Sequence, residues 1–171
     1  NHLAPFLLTT LLLDRITASA PARVITTSSS AHHGAHIPFD RIKADKGYWT
    51  GGFSRYGQTK LANILFTTEL ARRLEGTGVT ANCFHPGFVA SGFNRNNGAL
   101  MAFGMTLARP FARSTTKGAD TLVWLADSAA VSSETGGYFA NRKLKQPSSA
   151  ARDGAASRRL WELSEEETRG A

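Results

Sequence analysis

The chain has 171 residues, 42% hydrophobic, 9% aromatic and 19% charged. This composition excludes collagen-like, coiled-coil and wholly disordered chains and suits one domain with a sizeable core. Its 20 Lys and Arg against 13 Asp and Glu leave a formal charge of +7, but the bases are dispersed. The densest pairs, Arg72-Arg73 and Arg158-Arg159, fall in amphipathic helical patterns, so a solvated basic surface is expected and no nucleic-acid partner. The single cysteine, Cys83, excludes an internal disulfide and fits a reducing, cytoplasmic setting; its place in an apolar run predicts burial rather than a reactive thiol. The most apolar stretch, residues 3–13, is far short of the ~20 residues of a spanning helix. It also lacks the basic leader and cleavage site of a secretory signal, so no membrane span is expected in this chain.

In chain order, Leu3, Phe6, Leu7, Thr10, Leu11 and Asp14 recur at three- and four-residue spacing and predict a helix over residues 1–14. The β-branched run 23–27 predicts a strand ending in the turn Ser28-Ser29-Ser30, and residues 31–53 read as a long polar loop of the kind that usually serves a site. The clearest helix is expected over residues 54–74, with Leu61, Ile64, Leu65, Leu70 and Leu74 on its apolar side and Glu69, Arg72 and Arg73 on its solvated side. Gly76 and Gly78 end it, a second strand follows over 79–84, and His85-Pro86-Gly87 breaks that strand into a Gly- and Asn-rich loop. A short helical turn over 106–111, a helix over 115–126, a third strand over 136–140, a terminal helix over 150–163 and a frayed acidic tail at 165–167 complete the reading. Strands alternating with helices predict an α/β fold, a parallel sheet with helices on both faces.

The central chemical feature is Tyr56-Gly57-Gln58-Thr59-Lys60. On a helix, residues four apart share a face, and an ammonium beside a phenol favours the phenolate, fitting the phenol to trade a proton with an alcohol or carbonyl. Such a pair alone is weak, since chance pairs are common. The Ser28–Ser30 turn and Pro86-Gly87 each follow a strand, however, and therefore stand at the carboxyl edge of the sheet, where open α/β sheets bind ligands. A serine hydroxyl there can hold a substrate oxygen.

Taken in order, these motifs resemble the short-chain dehydrogenases/reductases, and the retinol-dehydrogenase-like branch in particular. The matching segments are Asn1 through Thr9, RVITTSSSAHH at 23–33, Tyr56 through Lys60 with Leu61-Ala62-Asn63, HPGFVAS at 85–91, and Arg159-Leu160-Trp161. The resemblance implies a Rossmann-type fold, a nicotinamide cofactor, NADP or NAD, and a small-molecule carbonyl or alcohol substrate, and it allows a homo-oligomer. It makes Tyr56 the acid/base and Lys60 the residue that biases it and holds the nicotinamide ribose. Ser29, with Ser28 as the fallback, becomes the serine that orients substrate. Asn1 matches the helix asparagine that supports a relay water, and Pro86, Gly87, Val89 and Ser91 the segment over the nicotinamide.

The family's glycine-rich phosphate loop and its ribose selector would precede Asn1. The literal G-x-G-x-x-A at Gly76–Ala81 follows a helix and enters a strand, the reverse of a phosphate site. Residues 1–171 thus read as the C-terminal part of a single NAD(P)-binding domain, its N-terminal half missing. With no neighbour on one side of the first strand, the isolated chain is expected to be marginal or aggregation-prone and to bind cofactor weakly. The alternative reading is a truncated, non-catalytic chain that acts as a subunit or interaction module.

His32, His33 and His36 read as a solvated loop rather than a zinc site, on ligand count. His85 reads as a packed, hydrogen-bonded histidine rather than a second general base. Trp49, Phe53 and Phe93 flank the site and could shape an apolar pocket, while Trp124 and Trp161 read as core.

Overall fold

The computed structural model describes residues 1–41, 48–89 and 112–170. Helices α1 (Leu3–Leu11) and α2 (Leu13–Ala18) lead to strand β1 (Ala22–Thr27); helix α3 (Tyr48–Arg73) leads to β2 (Val79–His85). Helix α4 (Thr115–Asp127), strands β3 (Tyr138–Ala140) and β4 (Lys143–Lys145) and helix α5 (Gly154–Thr168) follow. The sheet order is β1-β2-β3-β4; β1, β2 and β3 are parallel, and β4 returns antiparallel to β3. Among the described residues β1 pairs with β2 alone and so forms one edge.

Alternation along the strands divides the core between two faces. Val79, Ala81 and Cys83 of β2 and Tyr138 of β3 turn toward α3 and α5, meeting Leu61, Leu65, Leu70, Leu74, Leu160 and Trp161. Phe84 and Phe139 turn to the opposite face, against Leu125 and Val131 of α4 and the turn after it. Helices therefore cover both faces, as the α/β reading requires. Cys83 is fully buried and its thiol is pushed up to about 12 by desolvation. Trp161 is core, stacked on Phe66 at 5.7 Å and edge-on to Phe6 at 5.0 Å; Trp124 is half-buried against Phe139 at 5.9 Å.

Local chemistry sets the ends of the elements. Ser114 accepts from the Lys117 N–H to cap α4, and Asp153 accepts from the N–H groups of Ala155 and Ala156 to cap α5. At the far end of α4 the guanidinium of Arg23, on β1, donates to the carbonyls of Leu125 and Ser128, satisfying orphan acceptors where the helix dipole is negative.

Several sequence expectations change, and the helix expected over residues 1–14 is two, α1 and α2. Helix α3 begins at Tyr48, six residues before the expected 54, so it takes in Gly51 and Gly52. Glycine costs a helix about 1 kcal/mol relative to alanine, which is why that pair reads as a loop in sequence. Glu69 lies on the expected solvated side of α3, yet it is 2% exposed and its carboxylate takes three hydrogen bonds, two from Arg72 and one from Arg73. Arg73 in turn lies over Trp161 at 4.2 Å, so this charged cluster is part of the α3–α5 contact. The acidic run 165–167 continues α5 instead of fraying, with Trp161 Nε1 donating to Glu165 and Thr168 to the Ser164 carbonyl. The expected apolar side of the first helix buries only Phe6; Leu3 and Leu11 on that side are exposed. The expected helical turn at 106–111 lies outside the described residues. No described helix is long and apolar enough to cross a membrane.

Candidate active site

Because β1, β2 and β3 run parallel, the segments that leave them stand at one edge of the sheet: Ser28–Ser30 after β1, Pro86-Gly87 after β2 and Asn141-Arg142 after β3. Helix α3 packs against the turn after β1, and the approach depends on a glycine. A β-carbon on Gly57 would lie 2.6 Å from the Ala31 carbonyl oxygen, so only a residue without one lets this face of the helix seat on the turn. Gly57 stands beside Tyr56, which is thereby carried to the same edge.

The helix is then tied to the end of β1 by polar contacts. The Ser28 hydroxyl, 1% exposed, donates to the Lys60 main-chain carbonyl at 2.8 Å. The Thr27 carbonyl accepts from both Lys60 Nζ and Asn63 Nδ2, each at 3.1 Å. Lys60 Nζ stands 5.5 Å from the centre of the Tyr56 ring. Lys60 is half-buried, desolvation holds its ammonium below the usual lysine range, and no carboxylate pairs with it among the described residues.

The two candidate serines differ in role. Ser28 is committed to the contact between strand and helix. Ser29 is half-buried and its oxygen accepts from the Ala31 N–H at 3.2 Å, opening a short 3-10 turn and leaving its own proton to donate. Gly87 takes a left-handed φ of +86°, and a β-carbon there would come within 2.9 Å of the Arg113 side chain that crosses it. Arg113 links the ends of two strands: its main chain bridges to Val89, its N–H donates to the Phe88 carbonyl, and its guanidinium donates to Asn141 at 2.6 Å. A cavity of about 400 Å³ opens beside it, lined by Arg113, Lys117, Asp120, Thr121, Asn141 and Arg142. Ser29, Tyr56 and Lys60 do not line it.

Asn1 is exposed ahead of α1, next to His2. The His2 ring packs 6.1 Å from Phe66, and its Nε2 shares a hydrogen bond with Ser164 at 2.8 Å. Burial pushes His2 down to about 4, partly opposed by the neighbouring Asn63 amide. The structure thus gathers Ser29, Tyr56, Lys60, Pro86 and Gly87 at the sheet edge and gives Asn1 no hydrogen bond to a described residue. Ser91 and Phe93 lie outside the described residues, as do the side chains of Trp49 and Phe53.

His85 is half-buried and accepts from the Ser30 N–H at 3.2 Å, in line with a packed histidine. The histidine loop needs correction: His33 and His36 are exposed, but His32 is 0% exposed, packed edge-on to Tyr138 at 5.0 Å with both ring nitrogens engaged. No group of described residues is arranged to hold a metal ion. The motif Gly76–Ala81 runs from the turn after α3 into β2, and Gly76 and Gly78 take φ of +80° and +77° to turn the chain, as its helix-to-strand context implies. Gly57 and Asn63 stand in segments that carry the family resemblance but receive no role there, and Arg113 carries no readable signal in the sequence.

The architecture is that of a Rossmann-type α/β sheet with its polar residues collected at the carboxyl edge. Retinol dehydrogenase 12 of Homo sapiens is 44% identical over 164 residues, which cover 96% of this chain and 51% of that protein. Dehydrogenase/reductase SDR family member 13 of Bos taurus is 41% identical over 168 residues, covering 96% of this chain and 44% of that protein. Among solved structures, an uncharacterised protein from Mycobacterium paratuberculosis superposes with a TM-score of 0.73 at 30% identity, over 99% of this chain and 57% of its own. No family model matches the chain. The chain is thus related, over nearly its whole length, to the short-chain dehydrogenases/reductases of the retinol-dehydrogenase branch. It spans about half the length of the curated relatives it matches.

Proposed function

We propose that the protein carrying this chain is an oxidoreductase that transfers hydride between a nicotinamide cofactor, NADP or NAD, and the carbonyl or secondary alcohol of a small molecule. The observation that carries the reading is the half-buried Lys60 ammonium beside the Tyr56 ring, held at the end of β1 through the Thr27 carbonyl. In this reading the Tyr56 hydroxyl takes a proton from an alcohol or returns one to the oxygen of a carbonyl. Ser29 holds that oxygen with the proton its cap contact leaves available.

The donor set suits a nicotinamide nucleotide. Lys60 spends one of its three N–H groups on Thr27 and meets no described carboxylate, which leaves it able to bind ribose hydroxyls. Gly87, lacking a β-carbon, lets the Arg113 side chain cross the turn after β2, and Pro86, Gly87, Val89 and Ser91 would line the nicotinamide. Asn1 would support a relay water. The cofactor, when bound, would give hydride to a carbonyl or take it from an alcohol; the chain's own residues orient the substrate oxygen and move its proton.

Replacing Tyr56 by Phe in the protein as its source makes it should lower turnover by about a hundredfold or more while the melting temperature stays nearly unchanged. Turnover surviving within a few-fold would overturn the assignment.

A further inference from the structure

The turn that carries Ser29 is gripped by two histidines at a single peptide group. The Ser29 carbonyl oxygen accepts from His32 Nδ1 at 2.7 Å, and the N–H of the same peptide, that of Ser30, donates to His85 Nδ1 at 3.2 Å. One grip comes from within the turn and the other from the end of the neighbouring strand β2. His32 is itself anchored from a third segment, its Nε2 accepting the Ser148 N–H at 3.2 Å.

These partners dictate the proton on each ring. A carbonyl can only accept, so His32 carries its proton on Nδ1; the Ser148 N–H can only donate, so His32 Nε2 is bare. The Ser30 N–H requires a bare Nδ1 on His85, whose proton is therefore on Nε2. Both rings are neutral and of opposite tautomer. A second proton on either would set an N–H against an N–H. The groups facing His85 are Arg113, from the segment bridged to Val89, and His32 and His33, from the turn after β1; burial first and the Arg113 guanidinium next disfavour a positive charge on His85.

We infer that His32 and His85 are positioning residues, which lock the Ser29–Ser30 peptide between β1 and β2 and thereby aim the Ser29 hydroxyl. The inference rests on the hydride-transfer reading for what Ser29 does, and on the three hydrogen bonds for how it is held. It assigns neither histidine a proton transfer.

The test begins with the unsubstituted protein, labelled with nitrogen-15. Long-range proton–nitrogen spectra at neutral pH should show His32 protonated on Nδ1 alone and His85 on Nε2 alone. His85→Phe keeps a planar aromatic ring and removes the acceptor; the Ser30 amide should then exchange with solvent about fivefold faster, the size expected of one neutral hydrogen bond. Turnover should fall by about the same factor or more, with KM little changed. His85→Asn, whose Oδ1 can stand in for Nδ1, should recover most of both losses, a rescue that a volume-filling role would not produce. A proton on His85 Nδ1, or Ser30 exchange unmoved by His85→Phe, would overturn the grip. Faster exchange with unchanged turnover would overturn its catalytic purpose. Absence of any hydride transfer by the unsubstituted protein would instead remove the functional reading, while the ring and amide measurements would still decide whether the peptide is held this way.

Discussion

Gly57 and the Ala31 carbonyl approach so closely that a β-carbon on the helix residue would sit 2.6 Å from the oxygen. The contact sets the distance between α3, which carries Tyr56 and Lys60, and the turn that carries Ser29. Main chain on both sides leaves no flexible side-chain end to give way.

Gly57→Ala should accordingly push the helix off the turn. Alanine favours helix over glycine by about 1 kcal/mol, yet overpacking against fixed backbone costs about 1–3 kcal/mol, so net destabilisation and a larger loss of turnover are expected. Urea unfolding combined with steady-state kinetics checks this. A variant as stable and as active as the parent would show that the approach is not rigid.

The two serines at the end of β1 should separate stability from activity. Ser28→Ala removes a buried hydroxyl bonded to the Lys60 carbonyl, at a cost of about 1 kcal/mol, with a secondary effect on turnover. Ser29→Ala gives up a weak cap at 3.2 Å and should leave the unfolding midpoint nearly unchanged while turnover falls by about two orders of magnitude. The reverse pattern would transfer the substrate-orienting role to Ser28.

Stability should fall in two stages on acidification. His2 is held by burial at about 4 against an ordinary 6.5, so the unfolded chain binds a proton first. Folding therefore loses stability as the pH drops from about 6.5 toward 4, and this contribution is level below that. Glu69 is held below its ordinary 4.5, first by the hydrogen bond from Arg72 and further by Arg73. Its stabilisation is complete above that value and is lost as the pH falls from there through the lower folded-state value. Urea midpoints measured from pH 8 to 3 should show both limbs; His2→Phe should shrink the upper one, to which His32 and His85, also lowered by burial, contribute the rest, and Glu69→Gln should shrink the lower. An unchanged acid limb in the Glu69 variant would mean that the carboxylate contributes nothing to folding.

Periodicity and local chemistry in the sequence determined most of the framework. Leu61, Leu65, Leu70 and Leu74 at helical spacing, the β-branched run before Ser28 and the apolar run through Cys83 specify α3, β1 and β2, because local patterning against a core dictates such elements. The same reading placed the Ser turn, the Tyr–Lys helix and the Pro-Gly turn along the chain in an order that implied one edge of one sheet. It did not reach strand β4, whose three residues, Lys143, Leu144 and Lys145, are all exposed and too few for their alternation to stand out; Asn141 and Arg142 in the turn before it both take positive φ.

Tertiary structure alone decided the rest. Glu69 is buried because α5 and the Arg72 and Arg73 side chains close over it, and helical phase cannot report a neighbouring helix. Ser28 and Ser29 are adjacent and chemically alike, and become different only when one meets a carbonyl 32 positions away. His32 and His85 converge on one peptide from segments 53 residues apart in sequence, with Ser148 arriving from farther still. A hydrogen bond depends on tenths of an ångström between groups that the chain brings together only once its helices and strands have packed, and residue order holds no record of that distance.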